Sequence, residues 1–216
     1  MAVEIDSIDL STVVPEEAFN ITGDCTYRFA LGGWDWFIEQ YGDKITTKDL
    51  KSCANMFFSS SKLEEIPFEF NFTSSTSGLS FNNTFSGCEK LKSLPKLNKS
   101  TLLPVPTATY QFLNIDDTFK NCFCLREIPD DYLTSVTADG YWEARETLKG
   151  NGVDGAFYAC FSLRKPPSNL RPYINWGNTG YYYSMYNNLF YNCSSMDEIL
   201  NIPVEKVAYT TDTFKQ

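Results

Sequence analysis

The sequence predicts an α/β repeat solenoid, a stack of short helices or 3-10 turns and short parallel strands. One pattern of apolar residues recurs five times in order, while the segments that connect the copies differ in length. Each copy is also too short to bury its own apolar side chains, so neighbouring copies must cover one another. We call the five copies units 1 to 5.

The shared pattern is apolar-x-[ND]-x-Phe-x-x-Cys-x-x-Leu-x-x-Ile-Pro. Unit 1 has Ser60 at the Cys position, and unit 4 has Gly155 at the Asn/Asp position. Partial copies flank the five, CTYRF with Cys25 and Phe29 before them and DTFKQ from Asp212 after them. The five complete copies are centred on Phe57, Phe85, Phe119, Phe157 and Phe190.

Each unit is expected to contain two kinds of backbone. The apolar residue, the Phe and the Cys share one helical face, and the Asn or Asp before the Phe suits a helix start. The Leu-x-x-Ile-Pro segment should then be extended and should end at the Pro, which cannot donate to a ladder. Short strands of successive units would pair in parallel, with Phe on Phe, Cys on Cys and Leu on Leu.

The order Phe-x-x-Cys-x-x-Leu-x-x-Ile-Pro resembles the BspA-like leucine-rich repeats, over roughly residues 53 to 203. Such repeats occur in surface proteins of gut bacteria and in proteins of the phages that infect them. The resemblance implies an irregular leucine-rich-repeat-like stack. It also implies a role in attachment or display at a surface.

The chain is expected to have three parts. Residues 1–52 form an N-terminal segment and capping region, residues 53–203 hold the five repeats, and residues 204–216 are a C-terminal segment with a truncated sixth repeat. Asp35 to Tyr41 reads as a short helix, with Trp34, Trp36, Phe37 and Tyr41 covering the first repeat. The C-terminal end has no clear cap, so either the last half-unit closes the stack, or a longer protein was trimmed, or another subunit docks there.

Composition excludes several functions. The formal charge of −9 argues against nucleic acid and anionic membranes as partners, and no stretch is long enough to insert into a membrane. The absence of histidine removes the usual general base near neutral pH. The seven Cys fall mostly one per repeat, so we interpret them as buried ladder residues rather than as a metal or redox site, and we expect no cofactor.

Two connectors, residues 133–152 and 171–186, combine Tyr, Trp, Asn and Gly, a mixture that suits recognition of proteins or sugars. The alternative is that these rings pack over the edge of the solenoid. The candidate contact residues are Tyr141, Trp142, Trp176, Tyr181, Tyr182 and Tyr183.

The sequence therefore favours a non-enzymatic binding module. By resemblance, and because no secretory signal is visible, we expect a virion protein associated with a phage tail or fibre. It would contact other virion proteins and attach to host surface protein or polysaccharide. The alternative is a bacterial surface adhesin of the same repeat type. A carbohydrate-active enzyme is a third hypothesis, with Asp131 and either Glu143 or Glu146 as its carboxylate pair.

Overall fold

The structure, a computed structural model, describes residues 18–72, 80–98, 115–129, 132, 142–143, 154–166, 170–171 and 188–197. Within them lie one α-helix, α1, and six short strands. Two 3-10 turns, at Ala30–Gly32 and Gly42–Lys44, flank the helix. The bounds are β1 Asn20–Asp24, α1 Asp35–Tyr41, β2 Thr46–Ser52, β3 Phe70–Asn71, β4 Leu97–Asn98, β5 Trp142–Glu143 and β6 Leu170–Arg171.

The described strands pair in parallel, β1 with β2, β3 with β4 and β5 with β6. A parallel bridge also joins Glu127 of unit 3 to Lys165 of unit 4. Parallel pairing was predicted, but the place of the strands was not. β3 and β4 follow the Pro of their units, at Pro67 and Pro95, rather than ending at it. The Leu-x-x-Ile segments of the described units form no strand, and backbone hydrogen bonds join them in places, such as that from the Lys92 N–H to the Glu64 carbonyl at 2.9 Å.

A column of Phe rings runs through the described units. Phe119 lies between Phe85 and Phe157, with ring centroids 5.7 Å away on both sides. All successive rings in the column are 5.2 to 5.9 Å apart, and their planes lie within 21° of parallel. Each ring is almost wholly buried, so the predicted stacking of Phe on Phe is observed. The column consists of Phe29, Phe57, Phe85, Phe119, Phe157 and Phe190.

Neither the short helix nor the 3-10 turn predicted around each Phe is found, because the backbone there forms consecutive turns. In unit 3, Asp117 and Asn121 have φ values of 51° and 60°, two residues before and two after Phe119. A left-handed residue at every fourth position cannot belong to a right-handed helix. The Asn or Asp of the pattern is therefore a turn residue that tolerates positive φ, rather than a helix cap. The other such positions are Tyr27, Leu31, Asn55, Ser59, Asn83, Gly87, Gly155, Ala159, Asn188 and Asn192.

Alternate backbone amides serve two purposes. The Thr84 N–H closes a turn inside unit 2 by donating to the Phe81 carbonyl at 3.0 Å. The next amide, that of Phe85, donates instead to the Thr118 carbonyl of unit 3 at 2.9 Å. Buried amides thus find partners without a helix or a continuous sheet. The same inter-unit bonds start from the N–H groups of Cys25, Tyr27, Phe29, Leu31, Cys53, Asn55, Phe57, Ser59, Asn83, Gly87, Asp117, Phe119, Asn121, Phe157 and Ala159.

This ladder begins at Cys25, so the faint copy CTYRF is a true unit in register with the others, which we call the leading unit (residues 25–31). The Phe29 N–H donates to the Met56 carbonyl of unit 1 at 2.8 Å. Tyr27 and Leu31 take the same left-handed conformation as their counterparts in later units. The stack therefore extends into the N-terminal segment.

Helix α1 spans Asp35–Tyr41, as predicted. Phe37 and Tyr41 are buried, whereas the Trp34 and Trp36 side chains remain 40% and 51% exposed. Trp34 packs edge-on against Phe29 of the leading unit, with ring centroids 6.3 Å apart, whereas Phe37 and Tyr41 pack against each other and against Phe19. That all four aromatics cover the first repeat stays a prediction. The Asp35 carboxylate also accepts a bond from the Lys62 N–H at 3.3 Å, which ties α1 to unit 1.

Candidate functional site

The ladder cysteines form hydrogen bonds that run from unit to unit. In each case the Sγ donates to the carbonyl oxygen of the column Phe in the preceding unit. Unit 1 has Ser60 instead, and its Oγ donates to the Phe29 carbonyl at 2.8 Å. Ser60 is thus a functional equivalent of the Cys. The thiol bonds are Cys88 to Phe57 at 3.2 Å, Cys122 to Phe85 at 3.1 Å, Cys160 to Phe119 at 3.0 Å and Cys193 to Phe157 at 2.9 Å.

These thiols are poor nucleophiles and poor metal ligands. Burial raises the pKa of Cys193 to about 12, and also that of Cys25, which lies outside the ladder position, to about 11. Burial likewise raises the pKa of Cys122 and Cys160 well above the ordinary value. Because the thiolate is the reactive and metal-binding form, these side chains stay protonated near neutral pH. Among the residues that the structure describes, no group of three or more His, Cys, Asp or Glu could hold a metal ion.

Outside the core, two pairs of aromatic rings continue the stacking onto the surface. Tyr158 and Tyr191 stack with centroids 4.8 Å apart and planes 2° from parallel. The ammonium group of Lys120, which belongs to the preceding unit, lies 5.3 Å from the centroid of the Tyr158 ring. Phe123 and Phe161 form the second pair, also 4.8 Å apart. We call these five residues the surface aromatic ladder.

The surface aromatic ladder was missed at the sequence level, although the alignment of the units contains its signal. Tyr158 and Tyr191 directly follow the column Phe of units 4 and 5. Phe123 and Phe161 directly follow the ladder Cys of units 3 and 4. Both pairs are visible when the residues at each aligned position of the units are compared, whereas the connectors do not contain them.

The residues predicted as ligand contacts fall mostly outside the described part of the chain. Trp142 belongs to β5, where its backbone lies opposite Leu170 of β6. Glu143, one of the hypothetical catalytic carboxylates, is the other residue of β5. The residues outside the described part are Tyr141, Trp176, Tyr181, Tyr182, Tyr183, Asp131 and Glu146.

The surface aromatic ladder presents flat rings and one ammonium group to a ligand. Phe161 is 40% exposed, and Tyr158, Tyr191 and Phe123 are partly exposed. Flat rings next to a cation can hold an apolar face of a sugar or a side chain of a partner protein.

The chain matches no protein-family model, no curated protein and no solved structure. Within the described parts of the chain, no helix has both the length and the apolar character to cross a membrane.

Proposed function

We propose that this chain is a non-enzymatic binding module, built as an irregular leucine-rich-repeat-like solenoid. The observation that supports this proposal is the column of parallel Phe rings from Phe29 to Phe190, with an amide ladder beside it. A stack of this kind leaves each unit dependent on its neighbours and places one outward position per unit along the same line. Repetition therefore creates an extended surface rather than an enclosed pocket.

The surface aromatic ladder is the part of this surface to which we assign binding. Stacking of the units depends on the buried Phe, Cys and Leu positions, so the outward positions are available for recognition. Tyr and Phe at these positions supply contact area with little loss of side-chain entropy. We assign no catalytic residue, since the buried thiols and the amide ladder are explained by packing alone.

We further propose that the module acts on a phage virion, as a tail- or fibre-associated protein that attaches to host surface polysaccharide or protein. The resemblance of the units to BspA-like repeats supports this location. The alternative is a bacterial surface adhesin of the same type. Mass spectrometry of purified virions, compared with the washed envelope of uninfected cells, distinguishes the two locations.

The binding assignment is tested with purified bacterial envelopes and a double variant, Tyr158→Ala with Tyr191→Ala. Tyr27→Ala is the matched control, because Tyr27 is 59% exposed at the opposite end of the described stack. We expect the double variant to lose retention on envelopes and the control to keep it. Periodate treatment of the envelopes then separates polysaccharide from protein receptors. Retention of the double variant equal to that of the wild type would refute the assignment.

A further inference from the structure

A second surface carries a concentration of positive charge in a protein with a formal charge of −9. Lys92, Arg126, Arg164 and Lys165, which we call the cationic strip, line an open groove of about 490 Å³. Glu127 and Asp197 also contribute to its lining. The groove lies along the residues that follow the ladder Leu of each unit, apart from the surface positions that directly follow the Phe and the Cys.

The backbone holds the strip in register. The residue after the ladder Leu is Lys92 in unit 2, Arg126 in unit 3 and Arg164 in unit 4. The Arg164 N–H donates to the Arg126 carbonyl at 2.8 Å, and the Ile128 N–H donates to the Lys165 carbonyl at 3.2 Å. The backbones of Arg126 and Arg164, on neighbouring units, are therefore held side by side.

The cations of units 3 and 4 are available to a ligand. Arg126, Arg164 and Lys165 are exposed, and none of them forms a salt bridge within the part of the chain that the structure describes. Lys92 pairs with Glu64 of unit 1. Glu127 lies opposite Lys165 in the parallel bridge, whereas Arg126 lies beside Arg164, so a bound anion would relieve the repulsion between these two like charges. The fork of an Arg guanidinium suits a carboxylate in particular, because it can donate two parallel hydrogen bonds.

We propose that the cationic strip binds a carboxylate-bearing polysaccharide. This inference rests on the proposed function as a binding module and names the ligand class. Nucleic acid fits less well, because a duplex carries one charge per about 1.7 Å and the protein as a whole is acidic. An acidic peptide holds its carboxylates on flexible side chains, which lose rotamer entropy when they bind. A polymer of sugar acids carries one carboxylate on each rigid ring, and the strip carries one cation after the ladder Leu in each of units 2 to 4.

The test measures binding of the full chain to immobilised polygalacturonate by biolayer interferometry, with its methyl ester as the neutral counterpart. The variant is Arg126→Glu with Arg164→Glu. The control is Lys48→Glu with Lys51→Glu, which changes the net charge equally at two exposed positions of β2. We expect the strip variant to bind about tenfold more weakly or worse, the control to bind as the wild type does, and the ester to bind poorly. Binding to polygalacturonate should also weaken with added salt.

Equal loss in both variants, equal affinity for the ester, or no binding of the wild type to polygalacturonate would overturn the inference. Preferential binding of polyglutamate or single-stranded DNA would overturn it in favour of another polyanion. Circular dichroism and thermal unfolding check that each variant is folded. If the Glu variant does not fold, the double variant Arg126→Lys with Arg164→Lys replaces it, because it keeps the charge and removes the guanidinium groups. Envelope retention separates the two proposals. If the strip variant is still retained on envelopes and the wild type does not bind polygalacturonate, the proposed binding function stands and the proposed ligand class is wrong.

Discussion

The Sγ atom of Cys88 donates to the carbonyl oxygen of Phe57, one unit earlier, at 3.2 Å. Ser60 makes the equivalent bond to Phe29, so a hydroxyl can replace the thiol at this position. The ladder position thus requires a small side chain with a donor rather than sulfur chemistry. This distinction leads to the first prediction.

Cys122→Ser should destabilise the fold less than Cys122→Ala. The serine keeps the bond to the Phe85 carbonyl, at a net cost of about 1 kcal/mol or less, whereas alanine removes the bond and leaves a cavity, at about 1–3 kcal/mol. Urea unfolding of the two variants measures the difference. Equal or greater destabilisation by serine would show that sulfur packing, and not the donor, selects cysteine.

Alkaline pH should destabilise the protein, in part through its thiols. Burial raises the pKa of Cys193 from an ordinary value of 9.0 to about 12. The unfolded chain therefore releases this proton first, and the free energy of unfolding falls as pH rises from about 9 to about 12. Below pH 9 the contribution is fully present.

Cys193→Ser should reduce the fall in the free energy of unfolding between pH 9 and 12 by up to about 1 kcal/mol per pH unit, because one titrating thiol is gone. Tyr and Lys residues titrate in both proteins and cancel in the comparison. Urea midpoints at several pH values between 7 and 11 provide the measurement. Parallel curves for the two proteins would mean that Cys193 has no raised pKa in the folded state.

Gly155→Asn should destabilise the protein although it restores the residue of the repeat pattern. Gly155 has a φ of 59°, and a Cβ there would enter the van der Waals space of the Asp117 carboxylate. We expect a cost of about 1–3 kcal/mol. Asn188→Gly, at the equivalent left-handed position of unit 5, should change stability by no more than about 1 kcal/mol.

The same prediction has an internal check, because Asp117→Gly removes the clashing carboxylate. The double variant of Gly155→Asn and Asp117→Gly should be more stable than the sum of the two single effects indicates. Thermal unfolding of all four proteins completes the cycle. Simple additivity would place the cause of the destabilisation elsewhere than in this contact.

Phe119→Ala should cost about 3–5 kcal/mol, since Phe119 is fully buried between two rings of the column. Phe161→Ala should cost only about 1 kcal/mol, because that ring is 40% exposed. Hydrogen exchange should show that Phe119→Ala also exposes amides of units 2 and 4, such as that of Phe85. Loss of protection confined to unit 3 would argue against coupling between neighbours.

Much of the core was predictable from the sequence. Five copies of one pattern, with constant spacing inside each copy, identify Phe, Cys and Leu as buried, and even the partial copy around Phe29 was recognisable by its spacing. Helix α1 was predictable because its polar and aromatic residues alternate with helical period. These features depend on local spacing, which a single sequence displays directly.

The turns and the binding surface were harder to predict. Asn and Asp favour both helix starts and left-handed turn positions, so Asn83 and Asp117 alone could not distinguish a helix from consecutive turns. The neighbouring unit decides between a helix and consecutive turns, because every second backbone amide donates its hydrogen bond to that unit. The cationic strip was hidden for a similar reason, as Arg126 and Arg164 are 38 residues apart along the chain and meet only through stacking.

The division of amides between a local turn and the next unit has a consequence for how such a chain can change. The Phe stacking and the amide ladder that join two neighbours lie within about a dozen residues around the Phe, while the described connector residues add short parallel pairs such as β5 with β6. Excising or duplicating the stretch from one column Phe to the next would join two edges that already match. The protein could therefore lengthen, shorten or exchange its units by recombination while each remaining junction keeps the same bonds.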